Sequence, residues 1–217
     1  FTVIMGASGS GKSTLLYMLS GMDRPTLGNV YFLGEDISRK SDEKLAVFRR
    51  NHCGFVFQQN NLIDNLTVLE NIVIAGLLKD KNITHVNERA KKILSDVGIS
   101  KELYDKEVLN ISGGEAQRIS VARSVINSPK IIFADEPTGA LNSKAGKQVL
   151  DLLTRLNREG HSIVLVTHDV HAALRGNRVI YIKDGVVEGE CILSEYTEEK
   201  NDERTIKLEE FLEKMGW

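Results

Sequence analysis

Gly6-Ala7-Ser8-Gly9-Ser10-Gly11-Lys12-Ser13-Thr14 is the stretch on which the fold turns. It matches G-x-x-x-x-G-K-[ST], in which glycines let backbone N–H groups turn inward around an anion at the positive end of a helix dipole. The flanks agree with that reading. Phe1-Thr2-Val3-Ile4-Met5 is an apolar run suited to a buried parallel strand, and Leu15, Leu16 and Leu19 fall at helical spacing. A strand leading through such a loop into a helix predicts a nucleoside triphosphate site. Residues Gly6 to Thr14 would cradle the phosphates, Lys12 would reach the β- and γ-phosphates, and the Ser13 hydroxyl would take one position on Mg²⁺.

The rest of the chain bounds what surrounds this loop. Its 217 residues are 41% hydrophobic, enough for one large α/β domain, and a net charge of −2 offers no basic excess for holding nucleic acid. Cys53 and Cys191 are far apart and form no C-x-x-C pair, so we expect two reduced thiols with no metal or redox work. No apolar run approaches the ~20 residues a membrane span needs. The best, Ile72 to Leu78, is far shorter, so any membrane role needs a partner. Phe1 lies inside what reads as a core strand, without an initiator Met, so we expect the natural N-terminus to lie upstream.

Along the chain, Val30 to Leu33 reads as a strand ending at Gly34-Glu35-Asp36, and Ser41 with Asp42 and Glu43 as a helix start. Gly54 to Phe57 is a strand that delivers Gln58. From Leu66 to about Val97 the apolar positions keep helical period, with Thr84 as an N-cap and Gly98 as the stop. Ser112-Gly113-Gly114 opens another helix. Ile131 to Ala134 is a buried strand with Asp135 and Glu136 at its end. A helix carrying Val149, Leu152, Leu153 and Leu156 follows, and then a strand from Ser162 to Thr167 with His168 at its tip. Arg178 to Ile182 and Val186-Val187 read as a hairpin, and Leu208, Phe211, Leu212 and Met215 give the last helix an apolar face. The expected architecture is α/β: a P-loop core with a mixed sheet and an antiparallel region over 1–60 and 127–193, a helical insertion over 61–126, and a charged segment over 194–217.

In open α/β sheets ligands collect beyond the carboxyl ends of the strands. Gln58, Asp135, Glu136 and His168 each fall just past such an end, as the phosphate loop does. Adjacent residues leaving a strand point in different directions, so Asp135 can hold Mg²⁺ through water while Glu136 polarises an attacking water. Gln58 and His168, weaker signals alone, can complete the site. Ser112-Gly113-Gly114-Glu115 is a second glycine-rich helix start and so a second anion site, more than one nucleotide needs.

Together these motifs resemble the nucleotide-binding subunit of an ABC transporter. The order matches: phosphate loop, Gln58, the signature Ile111-Ser112-Gly113-Gly114-Glu115-Ala116-Gln117-Arg118, the Ile131 to Glu136 strand, and His168. The resemblance implies an ATPase using ATP and Mg²⁺, with Glu136, His168 and Gln58 catalytic and Ser13, Gln58 and Asp135 around the metal. It also implies a second copy packed head to tail, so that Ser112, Gly113, Gly114 and Glu115 meet the partner's nucleotide. A transmembrane permease would receive the work at the cytoplasmic face of the membrane. The segment with Leu62, Ile63 and Leu66 exposes these three among asparagines if it is a loop, or packs them under the insertion; by the same resemblance it borders the groove for a short permease helix. The wording Gly21-Met22-Asp23-Arg24-Pro25-Thr26, Phe55-Val56-Phe57-Gln58 and Glu136-Pro137-Thr138-Gly139 resembles the lipoprotein-releasing and macrolide-exporting type. Ala140-Leu141-Asn142-Ser143 and Met215-Gly216-Trp217 resemble the peptide-antibiotic (bacitracin-type) resistance transporters.

The chain departs from the family pattern at three points. Asn142 stands where many relatives have Asp, and Glu115 and Ala116 where Gln is common. The aromatic that stacks on adenine belongs upstream of the phosphate loop, where this chain has no residue for it. Two other classes stay open: a nucleotide-dependent sensor and, less favoured, a soluble ABC ATPase acting on DNA or ribosomes.

Overall fold

A computed structural model describes residues 1–217. The sequence opens with strand β1 (Thr2–Met5), the phosphate loop and helix α1 (Lys12–Leu19). A small hairpin of β2 (Tyr31–Phe32) and β3 (Glu35–Asp36) leads to α2 (Asp42–His52) and β4 (Cys53–Phe57). Two helices follow, α3 (Val68–Leu77) and α4 (Ile83–Asp96), and then the signature helix α5 (Gly113–Val125). The chain continues through β5 (Ile131–Asp135), α6 (Ser143–Arg158), β6 (Ser162–Val166) and the short α7 (Val170–Ala173). It finishes with β7 (Arg178–Lys183), β8 (Val186–Ile192) and α8 (Asn201–Met215).

The main sheet runs β4-β5-β6-β1-β7-β8, parallel throughout except for β8, which returns antiparallel to β7. Its central strands are apolar on both faces, because helices cover both. On one face Val3, Met5, Ile132, Ala134, Ile163 and Leu165 join a core shared with α3 to α6 and α8. On the other, Ile4, Phe133 and Val166 meet Leu16 of α1. The α3–α4 pair shares the larger core: Val86, Ala90 and Leu94 of α4 are fully buried in it. Helix α5 lies directly on β4. A side chain at Gly54 would place its Cβ 2.6 Å from the Ser124 carbonyl oxygen, so only glycine permits that approach. At the other end Arg204 of α8 is buried and donates to the carbonyls of Ser194, Leu174 and Gly176, tying the last helix down.

Two local expectations are corrected. Gly34-Glu35-Asp36 does not simply end a strand: Leu33 and Gly34, both at positive φ, make a two-residue turn, and Glu35 and Asp36 pair back onto Phe32 and Tyr31. The N-cap of α4 is Asn82, whose Oδ1 accepts from the His85 N–H at 3.1 Å, and Thr84 lies inside the first turn. Asn82 wins because its N–H, donating to Asp80 Oδ1 at 3.0 Å, sets it in extended backbone just before the helix, where Oδ1 meets the free His85 amide. Cys53 and Cys191 are both unpaired, and burial pushes the Cys53 thiol up to about 12, which leaves it unreactive. No helix is long and apolar enough to cross a membrane.

Candidate nucleotide site

Strand register assembles the site. Phe57 pairs with Asp135, Asp135 with Val166, and Val166 with Ile4, so β4, β5 and β6 end level and β1 ends one residue beyond them. The next residues of those four strands are Gln58, Glu136, Thr167-His168 and Gly6, side by side along one rim.

The phosphate loop has the chemistry of an anion cradle. Gly6 is packed so closely that a Cβ there would fall 2.1 Å from the Ile182 carbonyl oxygen. The first α1 amide with a helical acceptor is Leu15, which donates to Gly11 at 2.9 Å, so the N–H groups of Lys12, Ser13 and Thr14 remain free. The Lys12 ammonium is buried, has no carboxylate partner and donates to the Ala7 carbonyl at 2.8 Å. The Ser10 hydroxyl is buried without a partner. Free amides, an uncompensated ammonium and an orphaned hydroxyl around one loop fit a bound polyphosphate. No three His, Cys, Asp or Glu side chains are arranged to hold a metal ion by themselves. A divalent ion at this rim would need phosphate oxygens to complete its shell.

The two carboxylates at the end of β5 face different neighbours. Asp135 turns to α1, where Oδ1 accepts from Ser13 Oγ at 2.9 Å and Oδ2 from Tyr17 Oη at 3.0 Å. Glu136 turns to the end of β6: Oε1 lies 2.8 Å from His168 Nδ1, and Oε2 accepts from Thr167 Oγ1 at 3.2 Å. Its backbone sits at φ 46°, a strained value for glutamate, held by a Glu136 N–H bond to Val166 and a Gly139 bond back to Glu136. Gln58 is exposed and lies against Gly139, where an added Cβ would be 2.9 Å from its Nε2.

The signature helix is organised separately. Ser112 caps α5 and Glu115 completes a capping box, accepting from both the Ser112 N–H and its hydroxyl at 2.9 and 2.6 Å. Those bonds from Ser112 hold the Glu115 carboxyl below its usual range. None of the polar atoms of residues 112–115 bonds to residues 6–14. Their neighbours are Ala140, Leu141 and Asn142, and Asn142 caps α6 through the Ala145 N–H at 2.9 Å.

Three contacts escaped the sequence reading, although Gln117 falls within the signature. Tyr17 read only as part of the α1 helix, yet it bonds Asp135. Gln117, buried, donates to the Phe57 carbonyl at 2.7 Å, just before Gln58. Arg123 forks onto the carbonyls of Asn60 and Asn61 at 2.8 and 2.6 Å. The signature helix thus grips the loop after Gln58 by its backbone, which no side-chain pattern announces. Arg123→Met is expected to lower stability by about 1–3 kcal/mol, the worth of hydrogen bonds from a charged donor. It should also speed amide exchange across 58–66, while ATP affinity stays unchanged. Hydrogen exchange read by mass spectrometry, with ATP titration alongside, checks this.

One expectation about the same loop fails. Leu62 is only 9% exposed and joins the main core, Leu66 is half-buried, and only Ile63 faces solvent, at 47%. The buried Asn71 side chain folds the loop inward, accepting from the Ile63 N–H and donating to the Ile63 and Thr67 carbonyls.

A phosphate loop at the head of a parallel sheet, with two carboxylates at the end of the strand two places away, defines a P-loop ATPase. The family model described as ABC transporter matches residues 1–139, and the chain belongs to that family as an ATP-binding ATPase domain. It is 44% identical over 187 residues to the macrolide export ATP-binding/permease protein MacB of Wolinella succinogenes, covering 86% of this chain and 29% of that protein. It is 45% identical over 194 residues to the uncharacterized ABC transporter ATP-binding protein MJ0796 of Methanocaldococcus jannaschii, covering 88% and 83%. A dimeric structure of MJ0796 in a post-hydrolysis state, bound to ADP and Pi, superposes with a TM-score of 0.83 at 41% identity, over 90% of this chain and 86% of that one. The chain spans under a third of the length of the MacB relatives.

Proposed function

We propose that this chain is the ATP-hydrolysing motor of a transport complex, working as a head-to-tail pair with a second copy and driving a transmembrane permease at the inner face of the membrane. The observation that carries the chemistry is Glu136, held by His168 and Thr167 one residue beyond the Asp135 pair with α1. In this reading Lys12 and the free α1 amides bind phosphate. Ser13, Asp135 and Gln58 would hold Mg²⁺, whose charge would offset that of the phosphates. Glu136 accepts a proton from the attacking water, and His168 keeps its carboxylate aimed at the γ-phosphate. The signature residues make no hydrogen bond to their own phosphate loop and line a pocket with Ala140, Leu141 and Asn142, which supports a second copy whose nucleotide Ser112, Gly113, Gly114 and Glu115 would close over. Macrolide export is the cargo favoured by the MacB relatives. Antimicrobial-peptide export rests on the wording around Asn142 and at Met215-Gly216-Trp217.

The permease has a fitting receptor. A groove of about 320 Å³ between α2, β4, α3 and α5 is lined by Ala46, Arg49, Phe55, Phe57, Ala75 and Leu78. Its apolar side chains include Phe55, Phe57 and Leu78, the last 56% exposed. A short amphipathic permease helix would cover them, and the groove touches the Gln58 loop through Arg123. Leu78→Asp is expected to leave folding and isolated ATPase activity unchanged and to cut permease co-purification about tenfold, as the loss of an apolar anchor worth roughly 1.4 kcal/mol would. Pull-down of the co-expressed complex, with ATPase assays before and after permease addition, tests the reading. Undiminished capture together with full stimulation would remove this groove as the docking site.

A further inference from the structure

We propose that Tyr17 is a positioning residue for the metal, its hydroxyl fixing the Asp135 carboxylate before Mg²⁺ and ATP arrive. This rests on the reading of Asp135 as the carboxylate that serves the metal. Ser13 and Tyr17 stand four residues apart on α1, so their side chains share one face of the helix. That face meets the end of β5, and each hydroxyl takes one oxygen: Ser13 Oγ donates to Oδ1 at 2.9 Å and Tyr17 Oη to Oδ2 at 3.0 Å. A carboxylate gripped at both oxygens cannot rotate about its Cβ–Cγ bond. Each oxygen keeps a further lone-pair site for water on the metal. The Tyr17 ring is itself held, packed beside Ile4, Leu16 and Phe133 under the sheet, so the hydroxyl is delivered by a rigid arm.

Partners of this kind, which orient a metal-serving group without touching the metal, change metal affinity by about tenfold or more when removed. Tyr17→Phe keeps the ring and its packing and deletes only the donor. The measurement is ATP affinity of the full chain by calorimetry, in EDTA and in saturating Mg²⁺, with Asp135→Asn run in parallel. The factor by which Mg²⁺ tightens ATP binding is expected to fall about tenfold in Tyr17→Phe. Affinity in EDTA and the melting temperature should stay at wild-type values. If Asp135→Asn shrinks that factor and Tyr17→Phe does not, the role of Tyr17 is overturned while the metal reading stands. If neither variant shrinks it, the metal reading of Asp135 falls, and the role of Tyr17 with it. If Tyr17→Phe weakens ATP equally with and without metal, Tyr17 is a packing residue and the proposal is overturned.

Discussion

Glu136→Gln is expected to bind ATP with near wild-type affinity and to turn it over at least about 100-fold more slowly, the range in which a lost general base falls. Glutamine has the shape of glutamate, keeps the same φ of 46°, and can still accept from Thr167 Oγ1 and meet His168 Nδ1. What it loses is basicity, so the attacking water keeps its proton. Binding survives because the phosphate contacts come from other residues: the free amides after Gly11, Lys12 and Ser13. Lys12→Ala makes the contrast, since it removes the buried ammonium and should weaken nucleotide binding itself. With hydrolysis stalled, the ATP-bound pair should accumulate, visible by gel filtration as doubled mass. Turnover of Glu136→Gln at near wild-type rate would assign the base elsewhere.

Gly113→Asp is expected to abolish that ATP-dependent pair and to lower turnover about 100-fold while leaving the isolated chain folded and able to bind ATP. Gly113 is the first residue of α5 and exposed, and a Cβ there would meet only Leu141 Cδ2, at 3.9 Å. A carboxylate in the first helical turn is favourable to the helix, so the substitution costs the single chain little. Gly114 would be a poorer probe, because its Cβ would crowd Ala145 at 2.9 Å and confuse a folding defect with an assembly defect. Across the pair, the new carboxylate would face the partner's phosphates. Like charges set against each other at an interface cost several kcal/mol, enough for a loss of this size. The sharpest assay combines both changes: Gly113→Asp placed on Glu136→Gln should return the ATP-bound species to monomer mass. A double variant that still pairs on ATP would show that the signature does not face the partner's nucleotide.

Much of the fold was determined by the sequence alone, because its signals are local. The phosphate loop is nine consecutive residues, and its glycine and lysine chemistry needs no distant partner to be recognised. Strands β5 and β6 announce themselves by unbroken apolar runs that end at Asp135 and His168, since a parallel strand buried on both faces has no polar side to show. The Ser112–Glu115 cap is a three-residue relation, also visible in one dimension. Tertiary structure decided whatever depended on which elements become neighbours. The order β4-β5-β6-β1 places Gln58, Glu136, His168 and Gly6 along one rim, and hydropathy carries no record of strand order. Leu62 was misplaced because three apolar residues among asparagines look alike until Asn71 folds the loop and selects the one that enters the core. Tyr17 and Asp135 are 118 positions apart, and Gln117 reaches a carbonyl 60 positions away. Such bonds are set by helix rotation and sheet register. Periodicity can say which face of α1 or α5 is buried, but only the folded chain supplies the acceptor that the face meets.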